Sequence, residues 1–333
     1  LNMPEKVAVT IKNVIGVIPG KNPQWEGESV VIGAHYDSHG RGWPDVLKGN
    51  EGKIHPGADD NASGISVLLE FARLIGKNWQ PERTIVFVAF SAEEAGKLGS
   101  LHYIGHAEKY PVSKVMAMVN IDTVGQLGKD ALTIFGSYSA REWVHIFRGA
   151  GYVTGVEIKQ STIDTGNGDE KSFLDAGVPA VHLFSGAREN YHRPTDTVDR
   201  VDTAGLVKTA AILKEVVEYL AARPEPLNST LTTAKESTNQ QKKHQHTTRR
   251  VILGTVPDFA YTGKGVRLDG VTPDTPSVQV GLQKGDIIVR IDDTAIDDLQ
   301  TYSDVLKSLQ EGNEITIVFM RDNREHSVTT KVV

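Results

Sequence analysis

Short apolar runs alternate with stretches of helical period from "VAVTIKNVIGVIPG" (7–20) to about Arg223. The runs are "SVVIGAHYD" (29–37), "RTIVFVAFS" (83–91), "KVMAMVNID" (114–122), "ALTIFG" (131–136) and "PAVHLF" (179–184). Between them the spacing predicts helices near 62–76, 97–108, 139–149, 169–176 and 202–222. Strands that are apolar almost throughout are buried on both faces, which requires helices packed on each side. The predicted fold is α/β, with a mixed, largely parallel sheet flanked by helices.

The pattern then breaks. Residues 223–250, "RPEPLNSTLTTAKESTNQQKKHQHTTRR", carry almost no large apolar side chains and read as a polar linker. Its His244 and His246 read as solvated. From Val251 to Val333 short strands and turns dominate ("VILGTV", "GVRLDGV", "DIIVRIDD", "EITIVFMRD", "HSVTTKVV"), interrupted by one helix near 299–309. The chain therefore divides into a first domain (1–222), a linker (223–250) and a small β-rich domain (251–333).

Composition narrows the chemistry. The 333 residues are 39% hydrophobic and 23% charged, with 36 basic against 42 acidic side chains and a formal net charge of -6. That balance gives no reason to expect nucleic-acid binding, and no apolar run approaches the roughly 20 residues of a bilayer span. The opening "LNMPEKVAVT" lacks a basic-then-apolar signal pattern, so a mature or trimmed chain is expected, its targeting segment not present. With no cysteine, any metal must be held by histidine and carboxylate.

Acids and histidines recur where three of the strands end: His35 and Asp37, then Glu93 and Glu94, then Asp122. Asp59 and Asp60 occupy the bend "HPGADDNASG" before a helix, and His192, in "NYHRPTDT", follows the strand at 179–184. Singly, each has an ordinary explanation as a cap, a solvated charge or a partner of a helix dipole. Ligands of open α/β sheets, however, bind outside the carboxyl ends of the strands, so these groups should converge. Carboxylates gathered there without cations would repel and titrate to neutral. Two divalent ions fit His35, Asp59, Glu94, Asp122 and His192, giving each metal one histidine and one acid and leaving one acid shared. Adjacent residues of an extended segment point opposite ways, so one of Glu93 and Glu94 holds metal while the other faces the water as general base. Asp37, two residues from His35, is placed to orient its imidazole.

The blocks "HYD", "GADDNASG", "SAEEAGKLGS", "NIDTVG" and "YHRPTDT" resemble, in order and approximate spacing, the signatures of the co-catalytic di-zinc aminopeptidases, metallopeptidase family twenty-eight. The resemblance implies a zinc-exopeptidase type of fold in which Asp59 bridges the metals. His35 and Asp122 would complete one site, and Glu94 and His192 the other. Glu93 would be the general base and Asp37 the partner of His35. Tyr191 resembles a family tyrosine that hydrogen-bonds the oxyanion; the other reading is an aromatic packed beside the site. A cis peptide between Asp59 and Asp60 is also implied. The implied cofactor is two Zn2+, with Mn2+ or Co2+ as alternatives. The implied activity is hydrolysis of N-terminal residues from peptides through a bridging hydroxide and Glu93. Alternatives are a glutaminyl-cyclase-like or other exopeptidase or amidohydrolase activity on the same site, or a peptide-binding scaffold led by the small domain. One departure stands out: where many relatives have Ser-Asp-His, "GNGDEKSFLDAGVPA" has Asp169 followed by Glu170.

In the small domain, "YTGKGVRLDGVTPDTPSVQVGLQKGDIIVRIDDTAI" resembles a bacterial-type PDZ domain. The resemblance implies that "YTGKGVRL" forms a carboxylate-binding loop and that the strand after it accepts an added peptide strand. Expected partners are thus peptide substrates and a C-terminal or extended peptide ligand, and the family resemblance points to a secreted or periplasmic protein.

Overall fold

The computed structural model describes residues 9–44, 46, 49–161, 168–231, 251–258, 261 and 263–333. The first domain holds a seven-stranded sheet made of β1 (Val14–Ile18), β2 (Ser29–His35), β3 (Thr84–Phe90), β4 (Val115–Ile121), β5 (Leu132–Phe135), β6 (Ile158–Gln160) and β7 (Ala180–Phe184), in the order β1-β3-β2-β4-β7-β5-β6. The central strands β3, β2, β4 and β7 run parallel, while β1 and β5 join antiparallel to β3 and β7. All five predicted runs are strands. β1 and β6 extend the sheet at its two edges, where β1 is mostly exposed and β6 half-buried.

Alternate residues of the central strands face opposite layers, as the pleat requires. Val30, Ile32, Ala34, Ile85 and Phe87 pack under α1 (Gly64–Asn78), α3 (Trp143–Thr154) and α5 (Thr203–Ala222). Val31, Val86, Val88, Phe90 and Met118 pack on the other face, against α2 (Leu98–His106) and α4 (Glu170–Asp175). In α1 the buried residues Val67, Leu68, Phe71 and Ile75 form one helical stripe, which is why this segment is a helix lying on the sheet. Trp143, fully buried at the start of α3, donates from Nε1 to Ser139 Oγ at 3.0 Å. Replacing Trp143 with Ala should destabilise the first domain by about 3–5 kcal/mol, read as a lower midpoint in denaturant unfolding.

The first domain does not stop at residue 222. Leu227 is buried in its core, Ser229 bridges to Ala140, and Glu142 binds both Arg223 and Asn228. Residues 223–231 therefore belong to the first domain rather than the linker. Two apolar side chains, Leu227 and Leu231, and a few hydrogen bonds hold this polar stretch, a signal that composition does not carry. The rest of the predicted linker, with His244 and His246, lies outside the described residues.

The second domain comprises β8 (Thr255–Pro257), β9 (Val266–Val271), β10 (Ile287–Ile291), β11 (Thr294–Ala295), β12 (Glu314–Arg321) and β13 (Arg324–Lys331), with α6 (Pro276–Gln279) and α7 (Leu299–Ser308). It has its own core around Leu253, Val266, Leu268, Ile288, Tyr302 and Ile317. Its sheet runs β13-β12-β10-β9-β8, with β11 paired to β10. This corrects one expectation: β9, the strand after "YTGKGVRL", is paired on both sides, to β8 and β10, and has no free edge for a peptide. The strand at the sheet's end is β8. Arg193 of the first domain donates to Thr272 Oγ1 at 3.0 Å, in the turn after β9.

Candidate metal centre

Four adjacent parallel strands deliver the polar cluster to one edge of the sheet. His35 is the last residue of β2, Asp122 follows β4 directly, Glu93 and Glu94 lie in the turn after β3, and His192 sits in the loop after β7. The bend Ala58–Ser63 enters the same crevice ahead of α1. Gly57 opens that bend at a φ of 64°, and a Cβ there would meet Asp60 O and Ser38 Oγ, both at 2.5 Å. Only glycine allows the chain to turn so close to itself.

Asp60 stands at the centre. Its Oδ1 lies 3.2 Å from His35 Nε2 and its Oδ2 lies 3.0 Å from His192 Nε2. His35 Nε2 is also 3.4 Å from Asp122 Oδ1, and His192 Nε2 is 3.7 Å from Glu94 Oε2. Ligands on a tetrahedral ion with bonds near 2.0–2.2 Å are about 3.4 Å apart, so both groups have the spacing of a metal site. His35, Asp60 and Asp122 form one potential site and His39, Glu94 and His192 another, and the second oxygen of Asp60 faces His192.

This corrects the assignment of the shared acid by one residue. Asp59 points away: its Oδ1 accepts from Gly125 N at 2.6 Å and its Oδ2 from Gln126 Nε2 at 2.8 Å. The cis peptide likewise joins Asp60 to Asn61, not Asp59 to Asp60. Asp196 fixes the bend, its carboxylate accepting from the backbone N–H of Asp59 at 3.0 Å and of Asp60 at 3.0 Å. Asn61 ties the same bend to the end of β4 through Ile121 O at 3.0 Å. Two like neighbours in a bend cannot be told apart by composition; only the hydrogen bonds decide which one faces His35 and His192.

The remaining expected residues take more particular places. The Asp37 carboxylate accepts from the backbone N–H of Glu93 at 3.1 Å and of Glu94 at 3.4 Å, and lies 3.8 Å from His35 Nδ1. The group within hydrogen-bond reach of that nitrogen is the Asp37 carbonyl, at 3.1 Å. Asp37 therefore braces the Glu93–Glu94 turn and His35 together. Glu93 belongs to neither ligand group. Tyr191 stacks on the His192 ring at 3.8 Å.

Sequence reasoning missed several participants. Behind Asp122, buried His182 of β7 lies with Nε2 3.9 Å from Asp122 Oδ2 and Nδ1 3.4 Å from Glu170 Oε2, which also accepts from Asn120 at 3.1 Å. Glu170, the departure from the family block, is thus part of a buried polar group behind the site. Gly168 makes room for it, because a Cβ there would meet Glu170 Oε2 at 2.2 Å and His182 Nδ1 at 2.9 Å. His39 is buried beside Glu94 and His192. Its signal, a second histidine in "HYDSHG", was visible but unused.

Electrostatics supports a cationic occupant. Burial pushes Glu93 up and raises Glu94 to about 8 and Asp169 to about 7, with neighbouring carboxylates adding to the effect. Burial opposes the charged form of His192, but Glu94 and Asp60 outweigh it and raise that imidazole to about 9. Asp60 is held low despite burial because His192 and His35 face its two oxygens. Without cations the cluster thus neutralises itself with protons; divalent ions would displace them. Glu94 Oε1 and both ring nitrogens of His39 are buried with no hydrogen-bond partner, as expected of donors that fit a metal.

Residues 238–332 match the family model described as PDZ domain, and residues 13–217 match that of Peptidase family M28. Aminopeptidase YwaD of Bacillus subtilis (strain 168) is 30% identical over 221 residues, 62% of this chain and 45% of YwaD. Leucine aminopeptidase 2 of Trichophyton rubrum is 26% identical over 220 residues, 57% of this chain and 41% of that protein. Among solved structures, the zinc aminopeptidase BSAP from Bacillus subtilis superposes with a TM-score of 0.55 at 25% identity, covering 66% of this chain and 53% of BSAP. The chain spans about half the length of the relatives it matches. The family match covers most of the chain, and the strand order brings the family's blocks to one crevice: the chain belongs to peptidase family M28.

Proposed function

We propose that the chain is a two-zinc aminopeptidase that removes N-terminal residues from peptides. The observation that carries this reading is Asp60, whose two oxygens face His35 on one side and His192 on the other at ligand spacing. His35, Asp60 and Asp122 would hold one ion, and Asp60, Glu94 and His192 the other. When bound, such a pair acidifies a water and polarises the peptide carbonyl.

The chain's own groups would do the rest. Glu93, outside the ligand set, takes the proton of the attacking water and passes it to the leaving amine. Asp37 holds the Glu93–Glu94 turn so that the two side chains keep separate tasks. Tyr191, stacked on His192, would donate to the oxyanion as the carbonyl becomes tetrahedral. The buried carboxylates give a free α-amino group a partner that an acetylated terminus lacks. The relatives' names, aminopeptidases of a bacterium and a fungus, support the same reading.

A mass-spectrometric time course on peptides with free and acetylated N-termini tests it. Zinc-loaded protein should shorten only the free-ended peptides, stepwise, and a chelator should stop the reaction. Cleavage of acetylated peptides at internal bonds, or no loss from either set, would overturn the aminopeptidase reading.

A further inference from the structure

His39 lies on the chain between β2 and the bend that carries Asp60, and it is 3% exposed. Both of its ring nitrogens are buried without a hydrogen-bond partner. A buried imidazole left in that state costs free energy unless something outside the protein satisfies it. Its Nε2 lies 3.5 Å from Glu94 Oε2, the same oxygen that His192 Nε2 approaches at 3.7 Å. The two imidazoles meet edge to face, with centroids 4.2 Å apart and planes at 87°, so both aim nitrogen at one point without stacking. His39, Glu94 and His192 form a ligand group on these distances.

Local structure fixes the ring there. The backbone carbonyl of His39 accepts from the N–H groups of Gly42 and Trp43, each at 2.8 Å, and Gly40 pairs with His55 through a bond of 2.7 Å. That bridge pins the segment against the bend before Asp60.

We infer that His39 is a further protein ligand of the ion held by Glu94 and His192. The inference rests on the two-metal reading above and makes the pair unequal. The Glu94 side would have four protein ligands, His39, His192, Glu94 and Asp60, whereas the other side would have three, His35, Asp60 and Asp122. Four ligands favour retention and three leave a position open. The ion on the Glu94 side should therefore be the tighter one.

Cobalt titration of the apoprotein, followed by calorimetry and visible absorption, tests this with His39→Ala and His35→Ala. Wild-type protein should bind two Co2+ with unequal affinities. His39→Ala should weaken the tighter position by about tenfold or more and alter its cobalt absorption, and added imidazole should restore that absorption. His35→Ala should instead weaken the other position. If His39→Ala does not fold, His39→Asn keeps the polarity and carries the same expectation. Two cobalt ions bound with unchanged affinities and spectrum in the His39 variant would overturn the inference alone. Fewer than two ions bound by wild-type protein would overturn the two-metal reading itself.

Discussion

Replacing Glu93 with Gln should lower turnover by about 10²–10⁴-fold while both metal ions stay bound. The two readouts separate because Glu93 lies outside both ligand groups, whereas its neighbour Glu94 is in one. Glutamine matches the shape of the side chain, and the backbone N–H of residue 93 keeps its bond to Asp37 Oδ1 at 3.1 Å. What disappears is the proton acceptor. Burial raises the Glu93 carboxyl above its ordinary range, Asp169 and Glu94 add to that, and His35 works against it. A carboxylate raised in this way accepts a proton more readily than one in water, as a general base near neutral pH requires. Turnover near wild type in a variant with full metal content would remove Glu93 from that role.

Asp59→Asn and Asp60→Asn should differ sharply, although the residues are adjacent and chemically identical. Asp60→Asn removes the charge of the shared carboxylate and turns one of its two facing oxygens into an amide nitrogen, so metal binding should fall sharply at both positions. Asp59→Asn touches no ion. It alters the bonds to Gly125 and Gln126 that brace the bend, and such supporting partners cost at most about 10–100-fold in metal affinity. Metal content after dialysis, set against equilibrium titration, ranks the pair. Greater loss in Asp59→Asn would contradict the assignment of Asp60.

Much of this architecture was legible in the sequence because its signals are local. Continuous apolar runs mark the central strands, and helical stripes such as Val67–Leu68–Phe71–Ile75 mark the layers that cover them. His35, Asp122 and His192 were legible because strand ends set their positions. The sense of the Asp59–Asp60 bend was not, since it is decided by Asp196, distant in the chain and recognisable only once it bonds both backbone N–H groups. His182 and Glu170 were opaque for a similar reason: each reads as an ordinary residue until the fold places one against the other. The PDZ edge was misplaced because a glycine-rich turn signals a loop but not which flanking strand ends the sheet. That was set by the pairing of β8 outside β9.

The most direct test of the account is an anomalous difference map, collected at the zinc absorption edge from crystals of zinc-loaded protein. Two peaks should flank the Asp60 carboxylate about 3.5–4 Å apart, one beside His35 and Asp122 and the other beside Glu94 and His192. A single peak, or a pair bridged by Asp59, would contradict it.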